Sequence, residues 1–136
     1  MDKPTVEELN AFFCREFTQV KVSVEALGEG TARVRHSIGI HELRPGGTVS
    51  GPVMMTTADV ALYAAILGSI GIVPLAVTTN LNINFLRKPA AGRDIIGECT
   101  LLKVGKTLAI GDVFIYSEGS SDPVAHATGT YAIPRR

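Results

Sequence analysis

The sequence predicts an α+β domain in which one antiparallel β-sheet wraps around a long central α-helix. Three observations predict it. A nearly continuous apolar stretch, VMMTTADVALYAAILGSIG, lies in mid-chain with no polar stripe, so as a helix it must be covered on several sides. Four later segments, 76–87, 93–104, 107–117 and 123–133, are rich in Val, Ile, Thr, Leu and Phe at period two. The turns between them are short, which implies antiparallel neighbours. With 136 residues, the chain (1–136) is one domain, large enough for a real core and too small for two.

The elements follow in order. Thr5 with Glu8 three positions later is a capping box, and Val6, Leu9, Phe12 and Phe13 continue at helical spacing, so a short helix is expected over about 5–15. Alternation in Val20, Val22 and Val24, the turn Gly28-Glu29-Gly30, and Ala32, Val34 and His36 form a β-hairpin. Residues 39–51 are rich in Gly and Pro and lead to Ser50-Gly51-Pro52, where Pro at the first helical position marks a helix start. The central helix is expected from about Pro52 to Leu67, stopping at Gly68 or Gly71. Turns at Pro89-Ala90-Ala91-Gly92, Gly105-Lys106 and Gly119-Ser120-Ser121-Asp122 separate the four strands.

Composition excludes several function classes. Lys+Arg and Asp+Glu balance at 13 each, so neither a basic footprint for nucleic acid nor an acidic tail is present. Cys14 and Cys99 stand far apart, outside any CxxC or Cys/His cluster with ligand spacing, and neither a disulfide framework nor a metal is expected. The amino terminus lacks the basic start and apolar run of a secretory signal, which points to the cytosol. Val60 to Val77 is about as long as a membrane span, but Gly68, Ser69, Gly71 and Pro74 interrupt it and no anchoring residues flank both ends, so no membrane is expected.

Asp59 is the lead to function. It is the one charged side chain between Arg44 and Arg87. Burying an unpaired carboxylate costs several kcal/mol, Asp is a poor interior helix residue, and no Lys or Arg sits three or four positions away. The bland reading is hydrogen bonding to its neighbours Thr56 and Thr57. The helix start offers a second ingredient: free N–H groups and positive dipole charge, with Gly51 able to bring its N–H close to a substrate and Pro52 having none to give.

The pieces resemble the hotdog fold and, in their spacing, its PaaI-type acyl-CoA thioesterases. That group shows Asn-x-x-Gly-x-x-His-Gly-Gly, an Asp nine positions after the His, and a later strand resembling L-x-I-x-F-L-R-P-A followed by a Gly-Lys or Gly-Arg turn. Here the first motif reads Arg44-Pro45-Gly46-Gly47-Thr48-Val49-Ser50-Gly51-Pro52, with Asp59 nine positions after Ser50. The later pieces are Leu81 to Ala90 and Gly105-Lys106, so the resemblance covers residues 17–134. Gly47, Gly51 and Asp59 match. Arg44, Ser50 and Pro52 replace the Asn, the His and the second Gly.

The resemblance implies an acyl-CoA substrate whose coenzyme A enters as part of that substrate, with no separate cofactor. It gives Asp59 the role of general base or direct nucleophile and places the site between two subunits of a homodimer or dimer of dimers. Thr78 falls where related enzymes place a water-orienting hydroxyl, with Thr79 on the opposite strand face; in that fold Thr78 would come from the partner of the chain supplying Asp59. Arg44 can pair with Asp59, meet a substrate carboxylate, or be a solvated loop side chain. Arg87, Lys88 and Lys106 suit the phosphates of coenzyme A or are solvated strand-end charges. His36, His41 and His126 have no carboxylate at telling spacing and are read as structural. Met54, Met55, Leu62, Tyr63 and Ile66 allow an aromatic or a medium aliphatic acyl group. Beside hydrolysis stand two alternatives: a non-catalytic acyl-CoA-binding or aromatic-ligand-binding protein, which loss of the motif His favours, and a dehydratase or hydratase, which would need a His in the site.

Overall fold

The computed structural model describes residues 3–17 and 21–134. Helix α1 (Val6–Glu16) starts as its sequence demands: the Thr5 hydroxyl accepts the Glu8 N–H at 3.1 Å and the Glu8 carboxylate accepts the Thr5 N–H at 2.9 Å. Leu9, Phe12 and Phe13 form its buried face. Strands β1 (Val22–Gly28) and β2 (Thr31–His36) pair around Glu29-Gly30, where Gly30 takes the left-handed conformation at φ 68°. Val20, read as part of this alternation, lies outside the described residues.

Between β2 and the long helix the chain is pinned by Glu42. Its side chain is buried, accepts the Gly39 N–H at 2.6 Å and pairs with Lys21 at 3.2 Å, while its carbonyl accepts the Ser50 N–H at 3.0 Å. Helix α2 then runs Gly51–Ile70, past the expected end at Leu67. Gly68 does not stop it, because its missing Cβ is space taken by Leu27, whose methyl lies 3.1 Å from where that atom would be. The stop is Gly71, whose N–H donates to the Leu67 carbonyl at 2.9 Å.

Strands β3 (Val77–Phe85), β4 (Ile95–Val104), β5 (Leu108–Ser117) and β6 (Ala125–Ala132) complete a six-stranded antiparallel sheet in the order β1-β2-β4-β5-β6-β3. The expectation of four successive hairpin strands holds for β4, β5 and β6 and fails for β3. That strand lies at the far edge against β6, with Thr78 opposite Tyr131 and Phe85 opposite Ala125, so Pro89 to Gly92 belongs to a crossover. A 20-residue helix, about 30 Å long, easily spans the roughly 20 Å of sheet between β2 and that edge.

The sheet curls around α2, burying Ala58, Ala61, Leu62, Ala64, Ala65, Ile66 and Leu67. By length and composition α2 could cross a bilayer, and here it is the core helix instead. Leu62 fixes its rotation by seating against two glycines of the sheet: a Cβ at Gly111 or Gly129 would lie 2.9 or 2.4 Å from its methyls. One turn earlier, that rotation aims Asp59 at the seam between β3 and β6.

Candidate active site

Asp59 is half-buried, and its partners come from the sheet. Thr78 on β3 donates to Asp59 Oδ1 at 2.6 Å and Tyr131 on β6 donates to the same oxygen at 2.7 Å. The two donors are brought together by the register that sets Thr78 opposite Tyr131. Thr57 is not a partner, since its hydroxyl donates to the Val53 carbonyl at 2.9 Å. Among the described residues no donor reaches Asp59 Oδ2. The carboxylate is thus held by one oxygen and offers the other to the cavity, the arrangement a base or nucleophile needs.

That cavity has a volume of about 280 Å³ and is otherwise apolar, walled by Phe13, Phe17, Val60, Tyr63, Ala76 and Tyr131. Burial and the neighbouring Asp59 carboxylate push the Tyr131 phenol well above its ordinary range, so it stays a donor. Burial likewise pushes Tyr63 up to about 12, and its hydroxyl donates to the Pro74 carbonyl at 3.1 Å.

The structure corrects the origin of Thr78. It meets the Asp59 of its own chain, because α2 returns directly into β3 and only six residues separate Ile70 from Val77. Thr79 occupies the irregularity between Thr78 and Asn80 and donates instead to the Thr130 carbonyl at 3.3 Å.

Gly51 lies elsewhere. Asp59 is eight positions further along the helix, about 12 Å along the axis. It opens onto a second, larger cleft of about 600 Å³ whose lining includes Arg44, Thr48, Phe85, Arg87 and Lys88. The Gly51 N–H has no acceptor among the described residues, and the Phe85 ring packs 3.3 Å from where a Cβ would sit. Ser50 has a structural use as the N-cap, its Oγ accepting the Val53 N–H at 3.4 Å. Gly47 makes the turn at φ 78° that returns the chain to the helix, and lines neither cleft.

Arg44 does not pair with Asp59; it faces the second cleft without an ion-pair partner among the described residues. Among the described residues the Arg87 guanidinium has one ion pair, a long, exposed contact with Asp122 at 3.8 Å. Lys106, on the β4–β5 turn, joins neither cleft. His36 is buried with Nδ1 2.8 Å from the Ser37 carbonyl, and His126 does have a carboxylate, Asp112 at 3.1 Å on the outer sheet face, which cross-strand pairing supplies and spacing hid.

Residues 46–124 match the family model of the thioesterase superfamily, so the chain belongs to that superfamily and carries its hotdog fold. Membership in that superfamily supports a hydrolase activity in general. A Saccharolobus solfataricus protein assigned as an esterase is 30 % identical over 133 residues, covering 96 % of this chain and 87 % of that one. The crystal structure of a protein from Silicibacter sp. TM1040, assigned as a thioesterase, superposes with a TM-score of 0.90 at 45 % identity, covering 98 % of this chain and 95 % of that one. The Escherichia coli PaaI protein of the phenylacetic acid degradation operon shares the fold, with a TM-score of 0.78 at 22 % identity over 93 % of this chain and 91 % of that one.

Proposed function

We propose that the protein hydrolyses acyl-CoA thioesters in the cytosol, with Asp59 as general base or nucleophile. The observation that carries the reading is the Asp59 carboxylate, oriented by two hydroxyls on Oδ1 and open on Oδ2 at the mouth of an apolar cavity. A water activated by Oδ2 attacks the thioester carbon, the proton passes to the carboxylate, the C–S bond breaks, and the thiolate of coenzyme A takes a proton as it leaves. Attack by Oδ2 itself gives an acyl anhydride that water then opens.

The oxyanion forming on the carbonyl needs a donor, and among the described residues the hydroxyls lining the Asp59 cavity already have their protons engaged. Gly51 has one unspent among the described residues, and strand β3 offers a route by which a second copy could supply it. Thr78, at one end of β3, touches Asp59; Phe85, at the other end, touches Gly51. The strand is an exposed edge of the sheet. Antiparallel pairing of β3 with the β3 of a second copy lays the Asp59 end of one chain beside the Gly51 end of the other, so a symmetric dimer assembles two complete sites. The cleft with Arg44, Arg87 and Lys88 then receives the phosphates of coenzyme A beside the Gly51 donor.

Thiol release across a panel of acyl-CoA esters tests this directly. Asp59→Asn should lose at least about a hundredfold in kcat while melting as the parent does. A parent-like kcat in the variant would remove Asp59 from the chemistry. A second reading, binding without turnover, is favoured by the single oxyanion donor that Ser50 and Pro52 leave at the helix start; binding of acyl-CoA with no thiol release by the parent protein would establish it.

A further inference from the structure

Helix α1 stands outside the unit formed by the sheet and α2, yet Phe13 and Phe17 bring its carboxyl end into the wall of the Asp59 cavity. Leu9, Phe12 and Phe13 give it a buried apolar face. Apolar burial is non-directional, so that face attaches the helix without fixing where along the sheet it sits.

The directional tie is Asn10. Its Oδ1 accepts the Val24 N–H at 2.8 Å and its Nδ2 donates to the Val24 carbonyl at 2.9 Å, so one side-chain amide closes both backbone groups of one strand residue. Val24 lies on β1, the edge of the sheet opposite β3, where one side of the strand has no strand neighbour. Asn10 takes the place of that neighbour for a single residue. The register with β2 shifts immediately beyond it, between Val24 and Ala26. Among the described residues no other α1 side chain hydrogen-bonds another element.

Spacing connects this grip to the cavity. Asn10, Phe13 and Phe17 follow one another at three and four positions, along one stripe of the helix, so a displacement at Asn10 carries both rings with it. Phe17 is the C-cap and its N–H donates to the Phe13 carbonyl at 2.8 Å, which ties the second ring to the last turn. Both rings pack on Tyr63 of α2, with centroids 6.0 and 5.7 Å away.

We propose that Asn10 is a positioning residue for substrate binding: its amide, clamped on Val24, holds α1 so that Phe13 and Phe17 close the cavity wall beside Asp59. The inference rests on the thioesterase reading of that site. Without the clamp α1 keeps its apolar attachment but spends part of its time displaced, and affinity falls with the fraction of molecules whose wall is in place.

Two variants test the clamp. Asn10→Leu replaces the amide by an apolar group and removes both bonds. Asn10→Asp keeps an acceptor for the Val24 N–H and loses the donor to the carbonyl; its effects should have the same direction and smaller size, and it serves where the leucine variant fails to fold. Hydrogen exchange reads the clamp itself: α1 amides should exchange about ten- to hundredfold faster in Asn10→Leu, with those of β4, β5 and β6 unchanged. Hexanoyl-CoA hydrolysis reads the consequence. KM should rise about three- to tenfold, kcat should stay within about twofold of the parent value, and inhibition by free coenzyme A, which has no acyl group, should not change. A residue that merely supports the fold would lower the melting temperature and leave KM alone. Parent-like exchange of α1, or faster exchange shared by the whole sheet, overturns the proposal whatever hydrolysis shows. Faster α1 exchange with a parent-like KM overturns it as well and leaves the hydrolase reading standing. If the parent releases no thiol, the hydrolase reading fails and calorimetric titration with hexanoyl-CoA decides: binding weakened about three- to tenfold in Asn10→Leu supports the clamp, and equal binding, or none by the parent, overturns it.

Discussion

Removing the Tyr131 hydroxyl is the sharpest probe of how Asp59 is held. Tyr131→Phe keeps the ring that stacks on Tyr63 and its buried position between α2 and the sheet, so neither a cavity nor a change of volume accompanies the loss. What disappears is one of two hydrogen bonds to Asp59 Oδ1, at 2.7 Å, together with the same hydroxyl's 3.1 Å contact to the Asp59 carbonyl, leaving the 2.6 Å bond from Thr78. A hydrogen bond to a charged group is worth about 1.5–3 kcal/mol, and if that energy holds the carboxylate in its reactive orientation the loss appears in kcat as roughly ten- to 150-fold. KM should hardly move, because the hydroxyl is turned to the carboxylate and not to the acyl group. Thr78→Val should have a similar effect, and the double variant should lose less than the product of the two, since both donors serve one oxygen. The measurement is steady-state thiol release alongside thermal melting for the four proteins. A parent-like kcat in Tyr131→Phe with a lowered melting temperature would show that the hydroxyl stabilises the fold and does not orient the base.

Other outcomes follow from the same geometry. Equal mixing of Asp59→Asn and Gly51→Val chains, unfolded and refolded together, should recover about a quarter of parent activity, since half of the random dimers carry one intact site; sites built within one chain would recover none. Light scattering should give at least twice the chain mass at micromolar concentration. Arg87→Ala and Lys88→Ala should each raise KM about two- to fivefold with kcat unchanged and with an effect that fades in high salt, whereas Lys106→Ala should do nothing. Tyr63 and Tyr131 are both held above the ordinary phenol value of 10.0, so their contribution to stability is complete below about pH 10 and is lost as pH climbs through the folded-state values, near 12 for Tyr63. In an alkaline spectrophotometric titration the Tyr63 phenolate absorbance should appear only at about pH 12 and that of Tyr131 later still, or either with unfolding. Phenolate signal from either residue at pH 10 in the folded protein would contradict their burial.

Local signals were legible and non-local ones were not. The capping box at Thr5 and Glu8, the helix start at Ser50-Gly51-Pro52 and the isolation of Asp59 are properties of short windows, and the structure has each of them. Tyr131 carried no signal, because a tyrosine in an alternating strand is ordinary; it becomes a partner of Asp59 only through the pairing of β6 with an edge strand nearly fifty residues earlier in the chain. Phe13 read as part of the apolar face of a short helix and Phe17 lay beyond its expected end; that both wall a cavity depends on where α1 docks. Gly68 looked like a stop since sequence cannot distinguish a glycine that ends a helix from one that makes room for Leu27. Glu42 hid in a Gly-rich and Pro-rich loop, yet it holds both ends of that loop. Its carboxyl lies below the ordinary range chiefly because it accepts the Gly39 N–H.

The order in which the chain is synthesised gives the charge-poor helix another significance. Ribosomes release α2 well before β4, β5 and β6, which supply most of the sheet that covers it. Until about sixty further residues have emerged, a nascent chain displays a segment with the length and apolarity that membrane-insertion machinery selects. Asp59, nearly halfway along, and Gly68 near the end then act as discouragements to insertion during those seconds. The fold is in this sense a race between hairpin closure and capture by lipid or by other nascent chains. A fragment ending at residue 94 should be found with membranes or in aggregates, and extending it through β6 should return it to the soluble fraction.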